Sequence, residues 1–363
     1  MAPGEGHQND AVSSLHAPPQ PILPIEIVEE IIIRLPVKFI SQLRCVCKSW
    51  NALISDPKFA RRHLRRFNRR ILIVRFENSH FMSYPLPSVL NAATTGGTRL
   101  DNPLKYGNRD YSIIGSCDGI ICCSNFSIEL GHSFVVWNPS IRKLWELPPL
   151  ENRVIVHSYG FGYDHLLDRF KLVVIWPRGY KTHFMVHTLG SNSWRRIQDS
   201  PCIPYWASRD YGKFVSGAVN WLTSDGDDGF NFGHCIISLD LGKESYQEFL
   251  QPDYGIKVYY LTMDVMRDCL CLLANWQDVW VMKEYGNNES WTKLFRLPPS
   301  NSFSKIPYYL GNLAVYVSED YRSLLGYNYE NGTFRSFDLE NKPGKIKDMY
   351  VEIESLISPC PPN

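Results

Sequence analysis

The chain lacks what would make it a membrane protein or a secreted disulfide scaffold. No run approaches the roughly eighteen apolar residues that span a bilayer. Residues 1–20 are polar and rich in small residues and proline, without the apolar centre of a secretory signal, and are expected to be a disordered tail. The ten cysteines never form a Cys-x-x-Cys clip. Cys45/Cys47, Cys122/Cys123 and Cys269/Cys271 sit in apolar runs and read as reduced core thiols, not metal ligands. These absences together place the chain in a reducing compartment, cytoplasmic and/or nuclear, with no membrane partner.

Charge is also scarce. Only 21% of the residues are charged and the net charge is +1, so bulk electrostatics call for neither nucleic acid nor an anionic surface as partner. The local exception runs from Lys38 to Arg70, with ten Lys or Arg against one acid, Asp56. It ends in Arg61-Arg62-His63-Leu64-Arg65-Arg66-Phe67-Asn68-Arg69-Arg70, where Phe59, Leu64 and Phe67 interleave at helical spacing. That pattern reads as the solvated basic face of a connecting helix, with a nucleic-acid contact over residues 61–70 as the alternative.

Catalytic constellations are missing as well. There is no Gly-x-Ser-x-Gly elbow, no phosphate-cradling loop with Lys-Ser/Thr and no His-Glu-x-x-His. Asp225-Gly226-Asp227-Asp228-Gly229 lacks the bidentate Glu and spacing of a calcium loop. His132, His157, His165, His183 and His187 are scattered, so no metal or cofactor is expected. A propeller that binds or processes sugars stays open as an alternative, and processing would need carboxylates converging at its axis.

What is present begins at Leu23-Pro24-Ile25-Glu26-Ile27-Val28-Glu29-Glu30-Ile31-Ile32-Ile33-Arg34-Leu35-Pro36-Val37-Lys38. Pro24 suits a first helical turn, the acids lie near its positive end, and Pro36 stops it. Ile27, Ile31 and Leu35 recur at i, i+4, i+8 with Val28 and Ile32 beside them, a stripe wider than one neighbour needs. A second helix carries Phe39 and Leu43, and a third Val46, Trp50, Leu53 and Ile54. Asp56-Pro57 starts a fourth.

The remainder is organised by a degenerate repeat of strand, polar turn and aromatic. The closing aromatics Trp145, Trp194, Tyr246, Trp291 and Phe334 are separated by 49, 52, 45 and 43 residues. Four short strands and their turns need about that length, which is the size of a propeller blade. A hairpin precedes each repeat, as at Gly115-Ser116-Cys117-Asp118-Gly119, whose Asp-Gly is a strong turn signal. Five units are visible, and Ile71–Tyr84 and Lys345–Leu356 supply ends that would close a ring of five to seven blades.

Two resemblances attach to these residues. Leu-Pro at 23–24, Arg-Leu-Pro-Val-Lys at 34–38 and Arg-Cys-Val-Cys-Lys-Ser-Trp at 44–50 together resemble an F-box. Trp137-Asn138-Pro139-Ser140, Tyr159 to Asp164 and Gly217-Ala218-Val219-Asn220-Trp221-Leu222 are similar to the F-box-associated, kelch-like domain of plant F-box proteins. The chain departs from kelch repeats in having its one Gly-Gly doublet, Gly96-Gly97, in a polar linker. The resemblance implies a small all-α F-box over 21–67, an all-β propeller over 68–358 and a tail at 359–363. It implies docking to the Skp adaptor, and through it a cullin–RING ligase, by Leu23, Pro24, Ile27, Leu35, Pro36, Leu43, Val46 and Trp50. The chain itself would be a non-catalytic subunit that captures a protein substrate for ubiquitination.

Blade topology then sorts the loops. The a–b and c–d turns lie on one face and are short, while the b–c loops and blade-to-blade connections lie on the other and are long. Trp176, Arg178, Tyr180, Tyr205, Trp206, Arg209 and Trp276 fall on the long-loop face, which is therefore the expected substrate surface.

Overall fold

The structure, a computed structural model, describes residues 23–67, 69–77, 80–91, 94–100, 111–127, 131–150, 156–178, 181–202, 204, 211–224, 232–299, 308–318 and 320–360. The expected tail at 1–20 lies outside them.

Four helices come first: α1 (Ile25–Ile32), α2 (Val37–Leu43), α3 (Lys48–Ser55) and α4 (Pro57–Arg66). Proline sets the first two boundaries. Pro24 and Pro36 are the N-cap residues of α1 and α2, with φ of −51° and −57°. Pro24 thus caps α1 instead of entering its first turn. Asp56 caps α4, its carboxylate accepting the Lys58 amide at 2.8 Å, and Pro57 follows it in the first turn. Val46 lies in the turn before α3 and not in the helix. Cys45 and Cys47 flank it and are exposed, against the expectation of core thiols, because α3 starts only at Lys48.

The strands build a six-bladed propeller, within the expected range of five to seven. Blade 1 runs, from the axis outward, β25 (Ile346–Ile353), β1 (Arg70–Phe76), β2 (Phe81–Pro85) and β4 (Thr98–Leu100). Blade 2 is β5 (Ser112–Cys117), β6 (Ile120–Ser127), β7 (Gly131–Asn138) and β8 (Lys143–Glu146). Blade 3 is β9 (Ser158–Asp164), β10 (Arg169–Arg178), β11 (Lys181–Thr188) and β12 (Arg195–Arg196). Blade 4 is β13 (Lys213–Val215), β14 (Ala218–Ser224), β15 (Phe232–Asp240) and β16 (Tyr246–Leu250). Blade 5 is β17 (Leu261–Met266), β18 (Cys269–Ala274), β19 (Asp278–Met282) and β20 (Trp291–Arg296). Blade 6 is β21 (Tyr308–Leu310), β22 (Leu313–Val317), β23 (Leu324–Asn328) and β24 (Thr333–Glu340).

Two latches close the ring. The last strand, β25, pairs antiparallel with β1 from Ile353↔Arg70 to Asp348↔Arg75, so one blade is shared between the two ends of the propeller. The second latch is the short β3 (Thr94–Gly96), which leaves blade 1 after helix α5 (Leu86–Asn91) and adds a parallel strand to the outer edge of blade 6. The Gly96-Gly97 doublet sits here, between β3 and β4, and not in a plain linker. Arg75 buttresses the first closure from within, ion-paired to Asp348 at 2.6 Å and donating to the Tyr111 carbonyl at 2.9 Å.

The core is carried by side chains between blades, such as Phe184, Val219, Trp221 and Ile237 between blades 3 and 4. The closing aromatics are not part of it in the way their spacing suggests. Trp145 and Phe334 are exposed and Trp194, Tyr246 and Trp291 are half-buried, because each lies on or beside an outermost strand. The deeply buried tryptophans are Trp137 and Trp221, on inner strands. Truncating Trp145 therefore costs much less than the 3–5 kcal/mol typical of a core aromatic.

One inter-blade seam is ionic. Lys171, 1% exposed, places its ammonium 2.7 Å from Asp164 and 2.8 Å from Glu244, and donates to the Leu241 carbonyl at 2.6 Å. Burial by itself raises the Asp164 carboxyl, but Lys171 and the Leu166 and Leu167 amides outweigh it and hold the group below its usual range. Lys171→Met leaves Asp164 buried without its cation and is expected to lower stability by about 3–5 kcal/mol in denaturant unfolding. Because Asp164 has a depressed pKa, its contribution is present above the unfolded carboxylate range, near pH 4, and is lost on acidification through the folded value.

Candidate functional site

The helical module is seated on the face that carries the a–b and c–d turns. Arg61 of α4 is the centre of the seat: its guanidinium lies 4.0 Å over the Tyr163 ring, 2.7 Å from Asp168 and 3.8 Å from Asp118. Asp118 and Asp168 belong to the first turns of blades 2 and 3. In the first of these turns Asp118 and Gly119 both have positive φ, and a side chain at Gly119 would strike the Ile353 carbonyl. The apolar core does not break at the seat. Val28, Ile32, Ile40, Ile54, Phe59 and Ala60 form one buried cluster with Ile114, Ile120 and Phe170 of the propeller and Leu356 and Ile357 of the C-terminal segment.

The basic stretch is partly ion-paired. Arg62 pairs with Glu29, Arg66 lies 3.3 Å from Glu30, and Arg69 lies 4.0 Å from Glu354. Arg62, Arg65, Arg66 and Arg70 stay exposed, so the stretch is the expected solvated basic face with part of its charge engaged by acids of the same chain. His63, fully buried, hydrogen-bonds the Leu35 carbonyl through Nε2 at 2.9 Å and fixes the bend between α1 and α2. Burial holds its pKa below the usual value even though the Leu35 carbonyl favours the charged form.

The residues expected to meet an adaptor separate into two groups. Leu23, Pro24, Ile27 and Val46 are exposed, Ile27 by 47% and Val46 by 60%. Leu35, Leu43 and Trp50 are half-buried against the cluster at the seat, and Pro36 is half-buried as α2 begins. The structure adds Ile25, Ile31 and Phe39, all exposed, to the expected adaptor-binding set; of these Ile31 already stood in the wide apolar stripe of the first helix. Their signal was available in the i, i+4 stripes: α1 buries Val28 and Ile32 on one stripe and shows Ile27 and Ile31 on the next.

Of the seven residues expected on the long-loop face, Tyr180, Tyr205, Trp206 and Arg209 lie outside the described residues. Trp176 and Arg178 belong to β10 and not to a loop, since the β10–β11 ladder continues to Arg178↔Lys181. Trp176 is half-buried against the core, its ring 5.8 Å from His183. Trp276 is in a tight turn with Asn275, both at positive φ (59° and 50°), a conformation a bulky residue seldom adopts. Asn275 locks the neighbouring connection, accepting the Tyr259 amide at 2.8 Å and donating to the Lys257 carbonyl at 2.9 Å. Tyr259, 65% exposed, with Tyr260 and Ile256, forms an aromatic patch beside Trp276, and only Trp276 of these was expected.

The axial cavity does hold carboxylates, Asp264 and Glu352 with Asp118 and Asp268 also in its lining. Asp264 is held by Lys213 at 3.2 Å, and Glu352 stands with the Ser116 hydroxyl. The acidic loop Asp225–Gly229 lies outside the described residues, and among the described residues no group of three or more His, Cys, Asp or Glu is placed to hold a metal ion.

Comparison with known proteins matches residues 21–62 to the F-box domain and residues 74–358 to the F-box associated beta propeller domain. An F-box/kelch-repeat protein of Arabidopsis thaliana is 29% identical over 93% of this chain and 96% of its own. The F-box protein CPR1 of the same plant is 28% identical over 93% of this chain and 89% of its own. Among solved structures, TolB from Acinetobacter baumannii superposes with a TM-score of 0.48 at 10% identity, covering 78% of this chain and 66% of that one.

Loss of the seat is measurable. Arg61→Met removes a cation–π contact and two carboxylate contacts at once, and is expected to lower stability by about 1–3 kcal/mol in denaturant unfolding. Amide exchange in α4 should quicken in that variant while the blades far from the seat hold their protection.

Proposed function

We propose a function from one premise: the chain belongs to the F-box proteins that carry an F-box associated beta propeller domain. It is the substrate-recognition subunit of a Skp–cullin–F-box ubiquitin ligase. The observation that carries this reading is the asymmetry of the helical module, which fuses one side to the propeller and leaves Ile25, Ile27, Ile31, Phe39 and Val46 bare. Exposed apolar groups at that density are the ordinary signature of a partner surface. The Skp adaptor is the partner the family implies. Leu35, Leu43, Pro36 and Trp50 act mainly from beneath, holding that surface in shape.

The long-loop face takes the protein substrate, since the seat occupies part of the opposite face. Trp276, Tyr259 and Tyr260 are its described anchors, and Tyr180, Tyr205, Trp206 and Arg209, outside the described residues, are the further candidates the sequence offers. The chain then acts by position: two rigidly joined docking surfaces raise the effective concentration of substrate lysines near a ubiquitin-loaded enzyme in the cytoplasm or nucleus. No thioester on its own cysteines is part of this scheme.

Ile31→Asp combined with Phe39→Asp should weaken co-purification with a Skp adaptor by roughly 30-fold or more, with the unfolding temperature kept, because both side chains are solvent-exposed in the free chain. Undiminished co-purification would rule this surface out. Tyr259→Ala with Tyr260→Ala should remove the proteins that co-purify with the wild-type propeller and leave adaptor binding unchanged. Asn192→Ala and Lys243→Ala, on the turn face, should leave capture as it is. The reverse pattern would mean that the two faces have been exchanged.

A further inference from the structure

The ring encloses an axial cavity of about 340 Å³ that neither docking surface uses. Residues of all six inner strands line it, and its exposed rim charges, Arg70, Arg267 and Asp268, lie at the turn-face ends of those strands. That volume suits a small molecule or a single side chain, not a folded segment.

Most of its charged groups are engaged elsewhere. Lys213 and Asp264 satisfy one another at 3.2 Å. Arg267 is turned outward, donating at 3.0 Å to both the Gly311 carbonyl and the Tyr329 hydroxyl, and Asp118 faces Arg61. Glu352 is left over. It is 5% exposed, has no ion pair among the described residues, and has the Ser116 hydroxyl as its polar support. A buried carboxylate without a cation is costly unless something neutralises it. Tyr308 and Tyr350 line the same cavity, their rings 6.4 Å apart and edge to face, and aromatic rings are good neighbours for a cation and its alkyl stem.

We propose that the axial cavity is a binding site for a small organic cation, an alkylammonium or alkylguanidinium group on a short chain, whose charge pairs with Glu352 and whose stem lies against Tyr308 and Tyr350. Such a group belongs either to a free small amine or to a Lys or Arg side chain of a bound protein. The site does not depend on the ligase reading.

The pairing carries a pH signature. Burial pushes the Glu352 carboxyl up to about 8, a shift the Ser116 hydroxyl offsets only in part. The groups packed around it do not interfere: Cys117 on β5, Cys123 on β6, Tyr308 on β21 and Tyr350 on its own strand are all raised by burial and stay neutral. Lys213 and Asp264 remain paired, and Arg70 stands at the exposed rim. Below about pH 8 an entering cation must displace a proton from Glu352, so affinity falls on acidification, by roughly tenfold between pH 9 and pH 7.

Isothermal titration of the full chain with n-butylguanidinium, whose charge is constant in this range, tests the site. The expected result is saturable one-to-one binding, roughly tenfold tighter at pH 9 than at pH 7, abolished by Glu352→Gln and absent for neutral butylurea. Should Glu352→Gln fail to fold, Ser116→Ala keeps the carboxylate and should move the pH profile to higher pH. Competition by N-acetylarginine methylamide would assign the site to a side chain of a bound protein, and its failure to compete to a free small amine. Absence of saturable binding, a flat pH profile, or wild-type affinity in Glu352→Gln would overturn the proposal.

Discussion

Pairing of the last strand with the first is the constraint on which the rest of the molecule depends. A ring of blades has no edge only if its two ends meet, and here β25 supplies the inner strand of a blade whose remaining strands come from the start of the propeller. The pairing also fixes where the chain enters and leaves. β1 begins and β25 ends at the turn face, so the helical module and the C-terminal segment emerge side by side. Asn138 then donates to the Ser355 and Ile357 carbonyls at 2.9 and 2.8 Å, and Leu356 and Ile357 fill the space between helices and blades. An ordinary linker would have left the two modules free to turn about one another.

Rigidity is what gives the arrangement its functional meaning. In the function proposed above, a subunit that works by position gains from a fixed distance between two docking surfaces, and loses that gain if the joint between them swings. The joint here is apolar at its centre, with Arg61 and its two aspartates at one edge, while Arg62 and Arg66 pair with Glu29 and Glu30 inside the helical module itself. Each exposed ion pair contributes little by itself. Arg61 is different because a half-buried guanidinium on an aromatic face combines dispersion with charge.

Much of this was legible in the sequence. Pro24 and Asp56-Pro57 placed the starts of α1 and α4 to within a residue, since they act through the local backbone alone. The repeat of about 45 to 50 residues and the Asp118-Gly119 turn were enough for a propeller with its closing ends, but not for the number of blades, which depends on how many inner strands surround the axis. Placement failed where tertiary packing decides. Trp145 and Phe334 hold equivalent places in the repeat, yet both point outward from edge strands. The basic run 61–70 is solvated as its composition suggests, but its acidic partners, Glu29, Glu30, Asp118, Asp168 and Glu354, were not legible because they are spread along the chain. Glu352 could not be found beforehand, since nothing in Tyr350-Val351-Glu352-Ile353 marks the strand as the one facing the axis.

The central claim is that the adaptor and the substrate meet opposite sides of one rigid body. Hydrogen exchange of the full chain, alone and bound to a Skp adaptor, tests it most directly. The account predicts new protection confined to residues 23–50, with the connection at 251–260 and the turn at 275–277 exchanging as before. New protection at those long-loop segments, or none in residues 23–50, would contradict it.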